Sequence, residues 1–141
     1  LDDSADDLVI GKGSTIGTTP IISIDENLKT TFGGGAVGAT NTANATGSTT
    51  LNFDTYQNHV LTATGNITLA NPSTESVGQT GFIAIIQDGT GSRTLTLGTD
   101  YESPASGGIT LTTTASATDI VPYVVVAANR VALGTPQLAF G

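Results

Sequence analysis

The chain has 141 residues, the length of one ordinary domain and enough to bury a core without staples. It contains no cysteine, which excludes disulfides, thiolate metal sites and cysteine nucleophiles together. Only Lys12, Lys29, Arg93 and Arg130 stand against 12 acidic residues, a net charge of −8, so no basic patch exists to neutralise nucleic-acid phosphates or hold an anionic membrane.

Threonine outnumbers the 18 glycines and charged residues make up only 11%. Good helix formers are thin, and Thr, Val, Ile and Gly dominate, a composition of strands and turns. The longest apolar run, 120–128, is broken by Pro122 and is too short to cross a bilayer. The chain opens on Leu1 without a signal-peptide pattern and is expected to be a processed product, a fragment or the ordered part of something longer.

In chain order, residues 1–35 read as an N-terminal β arm or shaft end. An acidic DDSADD leads into three short apolar runs, Leu8–Ile10, Ile21–Ile24 and Leu28–Phe32, each bounded by Gly, Pro or Asp-Glu-Asn turn residues. Strands so few and short cannot enclose a core alone, which points to packing on the main body or on other copies. The stretch GGGAVGATNTANATGSTT that follows is low in complexity, and residues 36–50 are expected to be a linker or loosely ordered arm.

Residues 51–141 read as a head domain. Leu51 and Phe53 lead one alternating block, and Val60, Ala63, Ile67 and Leu69 mark another, with a Gly65-Asn66 turn signal inside it. GFIAIIQ is apolar on both faces, as a buried strand is. QDGTGSR punctuates the chain, RTLTLGTDY alternates through Leu95 and Leu97, and GGITLTTT alternates through Ile109 and Leu111. DIVPYVVVAANRVALGTPQLAF supplies two closing strands around Asn129-Arg130. No stretch has a convincing helical period. Strands spaced by roughly 8–12 residues imply an all-β fold, an antiparallel β-sandwich or small barrel with a short N-terminal β arm.

Candidate chemistry is sparse. GKGSTIG (11–17) has neither the Gly-Lys-Ser/Thr step of a phosphate loop nor the spacing of a dinucleotide fingerprint, and reads as a turn. Asp2, Asp3, Asp6 and Asp7 could attract a hard cation but lack the spacing of a calcium loop. His59, the single histidine, is expected on the surface, because strand alternation sets it opposite Val60. Paired carboxylates would have to come from Asp54, Glu75, Asp88, Asp100, Glu102 and Asp119, most of them in expected turns. Sequons at Asn44 and Asn66 are of the kind that arise by chance in a Thr- and Asn-rich chain. QDGTGSR itself admits two readings, a small anion-binding loop or a hairpin turn. The turn is favoured, with positive φ at Gly89 and Gly91 and Arg93 paired to Asp88, because no helix follows to aim a dipole at a phosphate. No catalytic, cofactor-binding or metal residue is assigned.

From about Asn52 onward the order HVLTATGNITLANP, VGQTGFIAIIQDGTGSRTLTLGTDY and GGITLTTTASATDIVPYVVV resembles a β-rich domain of tailed-bacteriophage virion structural proteins. These are fibres, head fibres and decoration proteins. Gly65-Asn66, Asn71-Pro72, Gly78-Gln79, Gln87 through Leu95 and Thr112 through Asp119 carry the likeness, and the absence of tryptophan departs from it. The resemblance implies a non-enzymatic assembly role on the virion, often as a homotrimer. Its partners would be itself, other capsid or tail proteins, and a host-surface glycan or receptor. An alternative from another class is a bacterial adhesin or carbohydrate-binding module, which would need an exposed platform from Tyr56, Tyr101 or Tyr123.

Overall fold

A computed structural model describes residues 8–11, 20–25, 27 and 29–141. The Asp2–Asp7 cluster and all but Gly11 of the GKGSTIG stretch lie outside the described residues. The chain forms two units, Leu1–Val37 and Gly38–Gly141.

The first unit is a three-stranded antiparallel meander of β1 (Leu8–Gly11), β2 (Pro20–Ile24) and β3 (Thr30–Phe32). The Asp25 carboxylate turns the chain between β2 and β3 by accepting from the amides of Asn27 and Lys29 at 3.0 and 2.9 Å. A short acceptor that mimics a backbone carbonyl is why Asp starts such turns.

The second unit is one curled sheet of eight strands, a half-barrel. Its strands are β4 (Thr40–Thr50), β5 (Asn58–Ala70), β6 (Thr80–Gln87), β7 (Leu95–Leu97), β8 (Tyr101–Glu102), β9 (Thr118–Ala127), β10 (Arg130–Leu133) and β11 (Gln137–Phe140). The order is β4-β5-β6-β9-β10-β8, with β7 added to β5 and β11 to β9. The helix content among the described residues is a single 3-10 turn, Pro104–Ser106.

The all-β expectation holds, but the antiparallel one is corrected. β4 with β5, β5 with β6, β5 with β7 and β8 with β10 are all parallel pairs. Alternation along a strand reports which face is buried and is blind to the direction of the neighbour.

The stretch expected to link the two units instead supplies β4 from Thr40 to Thr50, with Ala45 buried in the core. Its small side chains fit a strand because β5 provides the ladder and the apolar face.

The parallel pairing imposes a length constraint. Straight strands rise about 3.3 Å per residue, so the ten steps from Thr40 to Thr50 would cover about 33 Å. The chain must return to Asn58, beside Thr40, in eight steps that reach at most about 28 Å. The ladder therefore bends. Between the pairs Ala45↔Ala63 and Gly47↔Ile67, β5 takes four steps while β4 takes two. Gly47 has φ +60°, and Gly65 has no room for a Cβ beneath the Thr46 side chain. The Gly65-Asn66 signal thus marks a bulge inside a continuous strand, not a turn.

The returning segment fills the core as it crosses. Leu51 and Phe53 pack with Leu61 and Leu69 of β5, Ile83 and Ile85 of β6, and Val121 and Tyr123 of β9. The Gln79 amide donates to the carbonyls of Phe53 and Tyr56 at 2.8 and 3.3 Å, and the Tyr123 hydroxyl donates to the Gln57 carbonyl at 2.6 Å. Ile109 and Leu111 alternate into the core as expected, though their segment joins no ladder.

Gly81 of β6 lies directly beneath the Gln57–Tyr123 contact, where a Cβ would meet the Gln57 carbonyl and come within 2.9 Å of the Tyr123 ring. Gly81→Ala should lower unfolding stability by about 1–3 kcal/mol in urea titrations, the usual cost of overpacking. Gly34→Ala, with nothing within 4 Å, should leave it unchanged.

Candidate functional site

The loop from Gln87 to Thr94 is a densely hydrogen-bonded polar feature of the second unit. It is not a hairpin, because β6 pairs with β5 and β9 while β7 pairs with β5. The loop carries the chain from the inner edge of β6 across to the far half of β5.

The loop is closed by its own side chains. The Asp88 carboxylate accepts from the amides of Thr90 and Gly91, both at 3.0 Å, and from Arg93 through Nη2 at 2.8 Å and Nε at 3.2 Å. The buried Gln87 amide accepts from the Arg93 N–H at 2.8 Å and donates to the Arg93 carbonyl at 3.0 Å, as a ladder neighbour would. The Arg93 guanidinium holds the Asp88 carboxyl below its ordinary range.

The favoured hairpin reading of QDGTGSR is thereby corrected to a self-closed crossing loop. The amides that an anion would use already hold the loop's own aspartate. The expected Arg93–Asp88 pair is present. Of the two glycines only Gly91 has positive φ, at +73°, and a Cβ there would meet the Thr113 carbonyl at 2.5 Å, whereas Gly89 has open space.

A second polar knot lies next to it. Asp119 of β9, 1% exposed, accepts from the Thr112 amide at 2.6 Å, the Thr112 hydroxyl at 2.8 Å and the Ala139 amide at 2.9 Å. One carboxylate thereby pins both the ladder-free 108–114 segment and β11.

His59 is corrected from surface to core. It is fully buried, facing inward with Leu61 and Ala63 while Val60 faces the other way. Its ring meets Phe53 and Tyr56 edge-on at 5.3 and 6.2 Å, and neither nitrogen has a hydrogen-bond partner. Burial lowers its pKa from 6.5 to about 4.

Of the remaining carboxylates, Glu75 and Asp100 both lie near Tyr101, and Asp100 accepts from the Thr99 hydroxyl at 3.3 Å. Glu102 is held by Arg130 at 2.6 Å, Glu75 accepts from the Asn129 amide at 2.9 Å, and Asp54 is exposed. Tyr101 and Tyr123 are buried at 5% and 4% exposure, so neither can serve as a sugar platform. Only Tyr56 of the three tyrosines is partly open.

The least expected feature is the face turned away from the core. The registers Val60↔Ala84↔Ile120 and Phe82↔Pro122 place uncharged, mostly apolar residues side by side on β5, β6 and β9. Val124 and Val126 extend this face and are exposed. A shallow apolar groove of about 270 Å³ between Pro122, Val124, Ala132 and Gly134 continues it onto β10. The sequence signal was the unbroken apolar run in GFIAIIQ and IVPYVVVAA, which alternation alone would not require.

Comparison with known families matches residues 45–127 to the family described as "Putative phage tail fibre C-terminal domain". The chain belongs to this family. The matched span of the tail fibre domain runs from the β4–β5 bend to the end of β9 and contains both the Asp88 loop and Asp119. That agrees with the resemblance read from the sequence. No curated protein and no solved structure matches the chain.

Gly91→Ala should cost the tail fibre domain about 2–4 kcal/mol, from left-handed backbone and overpacking combined. Gly89→Ala should stay within about 0.5 kcal/mol. Chemical denaturation of the two variants side by side checks both values.

His59 also sets a pH dependence. Because its folded pKa lies below the unfolded value, its stabilising effect is complete above pH 6.5 and drains as pH falls toward 4. The shift corresponds to about 3 kcal/mol. His59→Phe should flatten the stability profile between pH 7 and 5 relative to the parent chain, measured by denaturation at each pH.

Proposed function

We propose that this phage virion structural protein is a non-enzymatic fibre head that assembles as a homotrimer on the particle surface. In that role it contacts other virion proteins and the host surface. The carrying observation is the uncharged outer face of β5, β6 and β9. In a chain of net charge −8, like-charged copies can approach closely only where their charges are absent. This contiguous apolar face is half-buried at Val60, Phe82 and Ile120 and exposed at Pro122, Val124 and Val126, the kind of patch that marks a place where another protein sits.

The tail fibre family favours the fibre role over capsid decoration. The burial of Tyr101 and Tyr123 removes most of the support for a carbohydrate-binding module built on tyrosine platforms.

Light scattering on the purified chain should give a mass of three copies at micromolar concentration, and antibodies to the chain should label fibres in electron micrographs of the phage. A monomer over that concentration range would overturn the trimer. Labelling confined to the capsid shell would overturn the fibre assignment.

A further inference from the structure

Among the described residues the sheet layer β4-β5-β6-β9-β11 has two open edges, and they are unlike. β4 is its longest unprotected edge, with 11 residues, no proline and no charge, and in fact no charged residue occurs between Lys29 and Asp54. β11 closes the opposite side with all four residues exposed, Leu138 at 49% and Phe140 at 48%, and no charge follows Arg130 in the sequence.

Folded proteins blunt free edges with short strands, lysines or prolines, since unpaired N–H and C=O groups invite another strand. The other short edges obey this rule. β7 has three residues and β8 two, and β8 carries the Glu102–Arg130 ion pair. β4 has none of these guards, its bend at Gly47 lies beyond Thr42 and Asn44, and among the described residues it pairs with β5 alone.

We infer that the outer edge of β4 in one chain receives β11 of a second copy, so that each subunit joins the next through unlike edges. This rests on the self-assembly proposed above and assigns the contact between copies to the sheet edges beside that outer face. Three observations favour a second copy as the occupant. Both edges lack charge in a strongly acidic chain. Passing through the pairings, β4, β5 and β6 run one way, β9 the other and β11 again with β4. A rotation about an axis along the strands therefore brings β11 against β4 in parallel, the direction β4 already uses with β5. The outward residues also line up in rows that cross the whole layer. One row is Thr42, Val60, Ala84, Ile120 and Gln137, and the other is Asn44, Thr62, Ile86, Thr118 and Phe140. Joining unlike edges gives a head-to-tail contact, which forms a closed ring when the rotation closes.

The test uses the full chain and light scattering, with circular dichroism to confirm folding. Thr42→Lys with Asn44→Lys should reduce the assembly to single chains, and so should Gln137→Glu with Phe140→Glu. All four substitutions in one chain should restore the oligomer, because lysines on β4 then face glutamates on β11 of the next copy. If either pair leaves the oligomer intact, or the fourfold variant stays dissociated, the edge assignment is overturned while the proposed self-assembly stands. A monomeric parent chain overturns both. Disulfide trapping is independent of whether the charged variants fold, and the cysteine-free background keeps it clean. Asn44→Cys with Phe140→Cys under mild oxidant should give covalently linked multimers on a non-reducing gel. Dimers from Asn44→Cys alone would show β4 meeting β4 and would overturn the assignment.

Discussion

The structure depends on β5 being paired in parallel on both sides with connections too short for helices. Parallel neighbours ordinarily need a crossover of a dozen residues or more. Here seven residues, 51–57, lead from β4 to β5, and nine, 71–79, lead from β5 to β6. Only a bent ladder satisfies both, and the bend is made where β5 takes two more residues than β4 around Gly65. Once bent, β5 offers its first half to β6 and its second half to β7. The sheet curls around the segments that cross it, and Leu51 and Phe53 become core residues rather than loop residues.

Such a sheet leaves many backbone groups without ladder partners at its crossings, and the chain meets that need with short polar side chains. Gln79 holds the first crossing, Gln87 and Asp88 close the loop after β6, and Asp119 ties the segment before β9 to the strand after β10. Each replaces a strand neighbour at a place where no strand can reach. Buried polar groups are tolerable when they are fully bonded, and Gln87 and Asp119, the buried members of this set, are. His59 is the contrast, a buried ring with both nitrogens unbonded, and it makes the core sensitive to acid.

Much of this was legible strand by strand. The apolar runs at Leu8, Ile21, Phe82, Leu95, Val121 and Val131 all lie in strands, and the Asn129-Arg130 turn joins β9 to β10 with Asn129 at φ +57°. Thr40–Thr50 was not legible, because its strand character comes from β5 and not from its own small polar residues. QDGTGSR looked like a hairpin because local turn chemistry is the same whether the next strand returns beside the last or crosses to another. His59 was set on the wrong face because one residue of register inverts a strand, and the Gly65 bulge obscured the phase.

The sequence by itself determined an all-β, cysteine-free, charge-poor chain, the positions of most strands and turns, and the likeness to phage virion domains. These follow from local properties: side-chain branching, alternation, turn residues and charge. The tertiary structure decided which strands are neighbours, that β4, β5 and β6 run parallel, that His59 and Asp119 are interior, and that one face and two edges remain free of charge. Those depend on contacts between residues far apart in the chain, and alternation along a single strand holds no record of what lies beside it.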